Sequence, residues 1–374
     1  MEKNYTLISI LRKIEDPRIE RTRLHNLIDI LVIAICSSMC GMTGWEEFEA
    51  FGEKKKEWFS SFLELPNGIP SHDTFRRVFE RLDPKQLQNA LIEWTRQLQI
   101  SLEGKVVAID GKTLRASFDN TKNLAPLHTV SAFVAENNFV LGQTFVENKK
   151  NEITAIPELL KMLEIKGAIV TIDAIGCQKE ITNKICKENK ADYVLTLKKN
   201  QPSLHDEVAA LFRLAEKHHQ ITTDFFRSTD KGHGRIEERE CTCIEAGPWL
   251  EHVSGGWTNL KSVAKIVSKV QRKGKLSEET RYFLSSLPCK AQKIARAVRE
   301  HWRIENTLHW SLDVVFSEDK IHIRKDNSPK NLSIVRRIAF SLAKERTPTG
   351  LTTKRAQLKS ILSSRFANEH FFRD

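Results

Sequence analysis

The chain has 374 residues, 40% hydrophobic and 29% charged, which argues against a disordered or fibrous polypeptide and leaves room for two domains, or for one core with a large insertion. Its net charge of +11, from 59 Lys and Arg against 48 Asp and Glu, favours a polyanionic partner, nucleic acid before anionic membrane. Seven cysteines without a C-x-x-C pair indicate neither a disulfide framework nor a zinc ribbon and fit a reducing compartment, taken as the cytoplasm. No basic start precedes an apolar segment, so no signal peptide is expected. The longest mostly apolar run, Ile30 to Cys40, reads as a buried helix rather than a membrane span.

Residues 1–100 read as all-helical. Leu24, Leu27, Ile28, Leu31 and Ile35 recur at helical spacing, and Gly41 and Gly44 break the pattern. The aromatic stripes from Trp45 to Phe51 and from Trp58 to Phe62 are expected in the core, not as a base-stacking platform. A turn at Pro66 to Pro70 precedes a helix with Ser71 as its cap. That helix carries Arg76, Arg77 and Arg81 near one face, either a phosphate grip or a solvated charged surface.

The character then changes to alternating strand and helix. Val106 to Ile109 is an unbroken apolar run between Gly104 and Gly111, the mark of a strand buried on both faces, and it ends in Asp110. Strands follow at His128 to Val134 and Phe139 to Val146, with a hairpin signal at Asn137 and Asn138. A helix from Ile153 to Leu163 leads to a second β-branched run that ends in Asp173, with Gly176 three residues on. A helix from Gln178 to Asn189 and a strand from Asp192 to Leu197 complete the set. Three strands, helix, strand, helix, strand is the element order of an RNase H-like core: an α/β fold whose mixed sheet is flanked by helices. Two core strands that each bring an aspartate to one rim begin a divalent-metal site, since hard cations want carboxylate oxygens on rigid elements. Either aspartate alone is equally a turn former or a helix cap.

A helix from Ser203 to His219 precedes a charged, β-rich insertion at about 220–288, in which Val263 to Val270 and Tyr282 to Leu287 are the clearest strands. Helical pattern resumes at Cys289. Val298, Trp302, Leu308 and Leu312 fall on one face, and Glu305 is read as sharing it. A carboxylate there needs a partner, either a metal shared with Asp110 and Asp173 or a salt bridge to Arg299 or Arg303. Two basic segments remain. Lys231 to Arg239 is either a phosphate cradle of backbone N–H groups with Arg235 or a charged hairpin. Lys198 to Gln201, at the rim of Asp173, is either a DNA track or a solvated loop. The stretch from Gly104 to Thr113 imitates a P-loop but places six residues where four are required, so an NTPase is rejected.

The blocks Leu65 to Phe79, Ala108 to Arg115, Asn151 to Leu160, Ile172 to Lys179, His233 to Glu237, His301 to Asn306 and Leu308 to Asp319 carry a resemblance over nearly the whole chain. Together they resemble the H-repeat-associated branch of the insertion-sequence DDE transposases. The resemblance implies an N-terminal helical transposase-associated domain at 1–100 and an RNase H-like DDE catalytic domain at 101–374. It implies Asp110, Asp173 and Glu305 as the catalytic, metal-binding triad, served by Mg2+ with Mn2+ as a substitute. The implied reaction is two-metal cleavage and strand transfer of element ends. The implied partners are terminal inverted repeats and target DNA, bound by a homodimer in a paired-end complex. Arg76, Arg77, Lys112, Arg115, Lys198, Lys199, His233, Arg235, His301 and Arg303 are the expected DNA contacts. Where the wider group places Tyr, Arg and Lys around its glutamate, this chain has Val298, His301 and Leu312. His301, Arg303 or Arg299 are read as replacing that clamp, with Glu318 and Asp319 as alternative third acids. A catalytically silent DNA-binding remnant and a metal nuclease without joining activity are the competing functions.

Overall fold

The computed structural model describes residues 6–118, 125–146, 151–218, 220–232, 234–252, 255–272 and 274–372. The chain forms two compact units that do not follow chain order. The first holds Met1–Ser101, Gly111–Lys149 and Glu305–Asp374; the second holds Leu102–Asp110 and Lys150–Ile304. The division passes through one strand, β1 (Val106–Leu114), which runs on past Asp110 instead of ending there.

In the first unit the helix Leu27–Met39 is buried along its whole length. The helix Trp45–Lys54 packs on it and His72–Arg81 on that in turn, with Pro84–Gln97 in the same unit. The expected core aromatics are in place: Trp45, Phe48, Phe51, Trp58 and Phe59 are all buried. The Pro84 helix starts by the rules, with proline at its first turn and the Asp83 side chain accepting from the Lys85 N–H. Ser71 is different. It holds the cap position of the next helix upstream but makes no capping hydrogen bond; Glu49 accepts from the His72 N–H at 2.9 Å instead. β2 (Leu127–Val134) and β3 (Phe139–Val146) form an antiparallel hairpin, with β2 beside β1.

The helix Ser328–Arg346 is buried from Leu332 to Ala343 and packs on Leu27–Met39, Pro84–Gln97 and β3. Its Asn331 amide donates to the carbonyls of Phe79 and Leu82, each at 2.8 Å, and its Ser341 hydroxyl accepts from the Val140 N–H. The chain does pass from one unit to the other at Ser101 and Leu102, beside the expected break, but the last helices return to complete the core begun by the first.

In the second unit β1 pairs in parallel with β4 (Ile169–Ile172), and β4 in parallel with β5 (Asp192–Leu197). All of β4 is buried, as a parallel strand covered on both faces should be. Helices Glu152–Met162 and Lys179–Asn183 make the connections, the latter running into a π-turn at Lys184–Glu188. Beyond β5 the sheet continues antiparallel through β9 (Lys275–Ser285), β8 (Ser262–Arg272), β7 (Arg235–Glu245) and β6 (Thr223–Gly232). The strand orders β3-β2-β1 and β1-β4-β5 give the RNase H-like mixed α/β sheet. Among the described residues no helix is long and apolar enough to cross a membrane.

Candidate active site

The in-register pairs of β1 and β4 end at Ile109 opposite Ile172. The next residue on each strand is an aspartate. Asp110 and Asp173 thus leave the paired stretch side by side, on backbones about 4.8 Å apart, at the carboxyl rim where open α/β sheets bind their ligands.

Asp173 does two things at once. One carboxylate oxygen caps a short 3-10 turn, Ala174–Gly176, accepting from the Ile175 N–H at 3.0 Å. Its acidity is also weakened: burial raises the pKa first, and the nearby negative charge of Glu152 raises it further, against the N–H bonds of Ile175 and Gly176 and the charge of Lys198. The turn is held from β5's outgoing loop, where Asn200 donates to the Ala174 carbonyl at 2.6 Å and Gln201 to that of Cys177 at 3.0 Å. Gly176 lets the turn close onto β4, for a Cβ there would lie 2.3 Å from Cγ2 of Ile172. Gly176→Ala is expected to destabilise the protein by about 1–3 kcal/mol, read as a lowered midpoint in denaturant unfolding.

Glu152 was not singled out from the sequence, and Asn200 and Gln201 only as part of the Lys198 to Gln201 loop, not as props of the Asp173 turn. The readable signal for Glu152 was its place in the first turn of a helix; the two amides gave none beyond their closeness to Lys198. Lys198 and Lys199 are exposed, as a phosphate-tracking loop requires.

His301 lies in the same unit. Its ring Nδ1 is 3.0 Å from the hydroxyl of Thr171 on β4. Burial pulls its pKa from 6.5 down to about 4, so at neutral pH it offers a hydrogen bond but no charge for a phosphate. The unfolded chain takes up this proton near 6.5 and the folded chain only near 4, so in that interval unfolding binds a proton. The stabilisation is complete above 6.5 and lost as pH falls through about 4. Expected, then, is a wild-type melting temperature that drops across this window, and a His301→Gln variant in which the drop is shallower.

The helix Ala291–His301 buries Ala291, Ile294 and Ala297. The apolar stripe then runs through Ile304 and the expected Leu308 and Leu312, while Val298 and Trp302 are only half-buried and Ala297 and Ile304 take their places. A π-turn at Ile304–His309 shifts the phase, and Glu305 is exposed, not inward. Neither expected arginine reaches it as a salt-bridge partner: Arg303 bonds Glu300 at 3.0 Å, and Arg299 meets Asp230 at 3.2 Å.

Other expected contacts divide. Lys112 is turned inward, its ammonium 2.6 Å from Asp313 and 3.6 Å from Asp319 with the side chain 7% exposed, so it is not presented to DNA. Arg115 has a side chain 85% exposed and only a 3.7 Å approach to Asp319. Arg76 is tied to Asp73 and Glu80, while Arg77 stays open with a 3.7 Å approach to Asp73. Arg235 is exposed, and His233 lies outside the described residues. Glu318, an alternative third acid, is fully buried against Arg337, and Asp319 is occupied by Lys112 and Arg115.

The donors suit a hard cation in kind. Magnesium is usually held by one or two carboxylates together with waters and substrate phosphates. Among the described residues no group of three His, Cys, Asp or Glu side chains is arranged as a ready cage.

Family models place the chain. Residues 8–95 match the DDE_Tnp_1-associated domain and residues 101–342 the Transposase DDE domain. "Putative transposase YncI" of Escherichia coli O157:H7 is 37% identical over 367 residues, 97% of this chain and 94% of its own. "H repeat-associated putative transposase YhhI" of Escherichia coli K12 is 39% identical over 322 residues, 85% of each chain. The chain belongs to the DDE transposase family, in its H-repeat-associated branch.

Proposed function

We propose that the protein is an active DNA transposase that cleaves the ends of an insertion sequence and joins them to target DNA. The observation that carries this reading is the parallel, in-register pairing of β1 and β4, which sets Asp110 beside Asp173 at one rim. Asp110 and Asp173 would hold the divalent ions, Mg2+ with Mn2+ as a substitute, and Glu305 is proposed as the third ligand. Bound there, the ions lower the pKa of a bound water or 3′-hydroxyl and offset charge on the leaving oxygen. The chain's own part is to fix the carboxylates and to place the DNA. Asp173 is held by its turn, and Asn200 and Gln201 hold that turn. Exposed Lys198, Lys199, Arg115, Arg77 and Arg235 would grip phosphates, an attraction spread over many cations and lost with salt. The substrate would be terminal inverted repeats, bound by a homodimer in the cytoplasm.

The test is a cleavage and strand-transfer assay on duplexes carrying the element's ends. Asp110→Asn should stop both reactions while gel-shift binding of the same duplex persists. Wild-type-like turnover by this variant would remove the assignment. Cutting without joining by the wild type would leave a metal nuclease in its place.

A further inference from the structure

The four strands β6 to β9 form an arm whose cross-strand charges are matched along most of its length. Arg227 faces Glu240 and bonds it at 2.7 Å. Lys269 sits between Glu238 on β7 and Glu278 on β9. The facing acids Asp230 and Glu237 hold Arg239 between them, 2.5 Å from each. Such pairing is what a solvated sheet needs, since like charges directly opposite one another destabilise it.

The end of the arm breaks this rule. Arg235, Arg272 and Lys275 are directly opposite one another on three neighbouring strands, and all three are exposed. Arg235 leans on Glu237 at 3.4 Å. Among the described residues neither Arg272 nor Lys275 has a carboxylate within ion-pair distance. Lys231, one residue back from Gly232, adds a further exposed cation at the same end. Opposed cations in one row give the fold nothing, so their partner is to be sought outside it.

We infer that the tip of the β6–β9 arm is a phosphodiester grip, in which Arg235, Arg272 and Lys275 engage the backbone of duplex DNA. The inference rests on the transposase reading and adds Arg272 and Lys275 to its contacts. In-register partners share one face, and two strand spacings set the outer cations about 10 Å apart. A DNA strand offers a phosphate about every 3.4 Å of axis, so the row can face several at once. Backbone contacts of this kind position the protein without reading sequence.

The experiment measures anisotropy of a labelled duplex with the full chain across a salt series. Wild type is compared with Arg272→Ala/Lys275→Ala and with Lys269→Gln, whose cation is already matched. The double variant should bind more weakly, with a log–log salt slope shallower by about 2, and Lys269→Gln should match wild type. The unfolding midpoint of Arg272→Ala/Lys275→Ala should equal or exceed that of wild type, because repulsion has been relieved. An unchanged slope in the double variant overturns the grip, as does an equal loss in Lys269→Gln. So does a loss seen only on vesicles of anionic phospholipid and not on the duplex. A wild type that binds no duplex at all would instead overturn the transposase reading itself.

Discussion

Asp173→Asn is expected to fold normally and to cut metal-dependent cleavage by about 10³-fold or more, some 4 kcal/mol of transition-state stabilisation. Asparagine keeps the side-chain oxygen that accepts from the Ile175 N–H, so the turn at the end of β4 survives and only the charge is removed. Asp173→Ala removes both, and should cost about 1 kcal/mol of stability in addition, the usual value of a lost cap. The pair of variants separates the two roles of this side chain. Initial cleavage rates at saturating Mg2+, set beside unfolding midpoints, give the answer. If Asp173→Asn cuts DNA as fast as wild type, the aspartate is a turn residue and no more.

The largest stability effect is expected at Glu318. Its carboxylate and the Arg337 guanidinium have no solvent exposure, and the bond between them is short, at 2.5 Å. Arg337 also donates to the Ser333 carbonyl at 3.0 Å. Arg336 beside them is buried so deeply that its pKa falls to about 10, with Glu318 opposing the fall. Glu318→Ala therefore leaves buried positive charge without compensation and should lower the unfolding free energy by about 3–5 kcal/mol. Replacing both partners, Glu318→Leu with Arg337→Met, should recover much of that loss, since a buried pair is often no better than well-packed apolar residues. Denaturant titrations of the single and double variants measure both. An unchanged unfolding midpoint in Glu318→Ala, with activity lost, would return Glu318 to the list of catalytic acids.

How far the sequence could be read depends on whether burial left a pattern. Val106 to Ile109 and Ile169 to Ile172 were legible because parallel strands covered on both faces must be apolar throughout. The two aspartates beyond them were legible for the same reason, as polar residues where an apolar run stops. β6 was not, since exposed and half-buried positions alternate along it only from Thr223 to Thr229, with no apolar face. The stripe before Glu305 was misplaced, at Val298 and Trp302 instead of Ala297 and Ile304, because an α-helical period was assumed across a π-turn. Lys112 and Glu318 look like surface charges in the sequence. Only the fold brings Asp313 to the one and Arg337 to the other, hundreds of positions away in the first case.

The interleaving of early and late segments in the first unit also sets the timetable of its assembly. The helix Leu27–Met39 is hidden on every side in the finished protein, partly by the helix Ser328–Arg346, which leaves the ribosome last of the two. Nearly three hundred residues, the whole second unit among them, are synthesised in between. At about 5–20 residues per second the nascent helices wait on the order of fifteen to sixty seconds with an apolar flank uncovered. Such long-range closure is slow, and it leaves the newborn chain exposed to aggregation until the helix Ser328–Arg346 arrives.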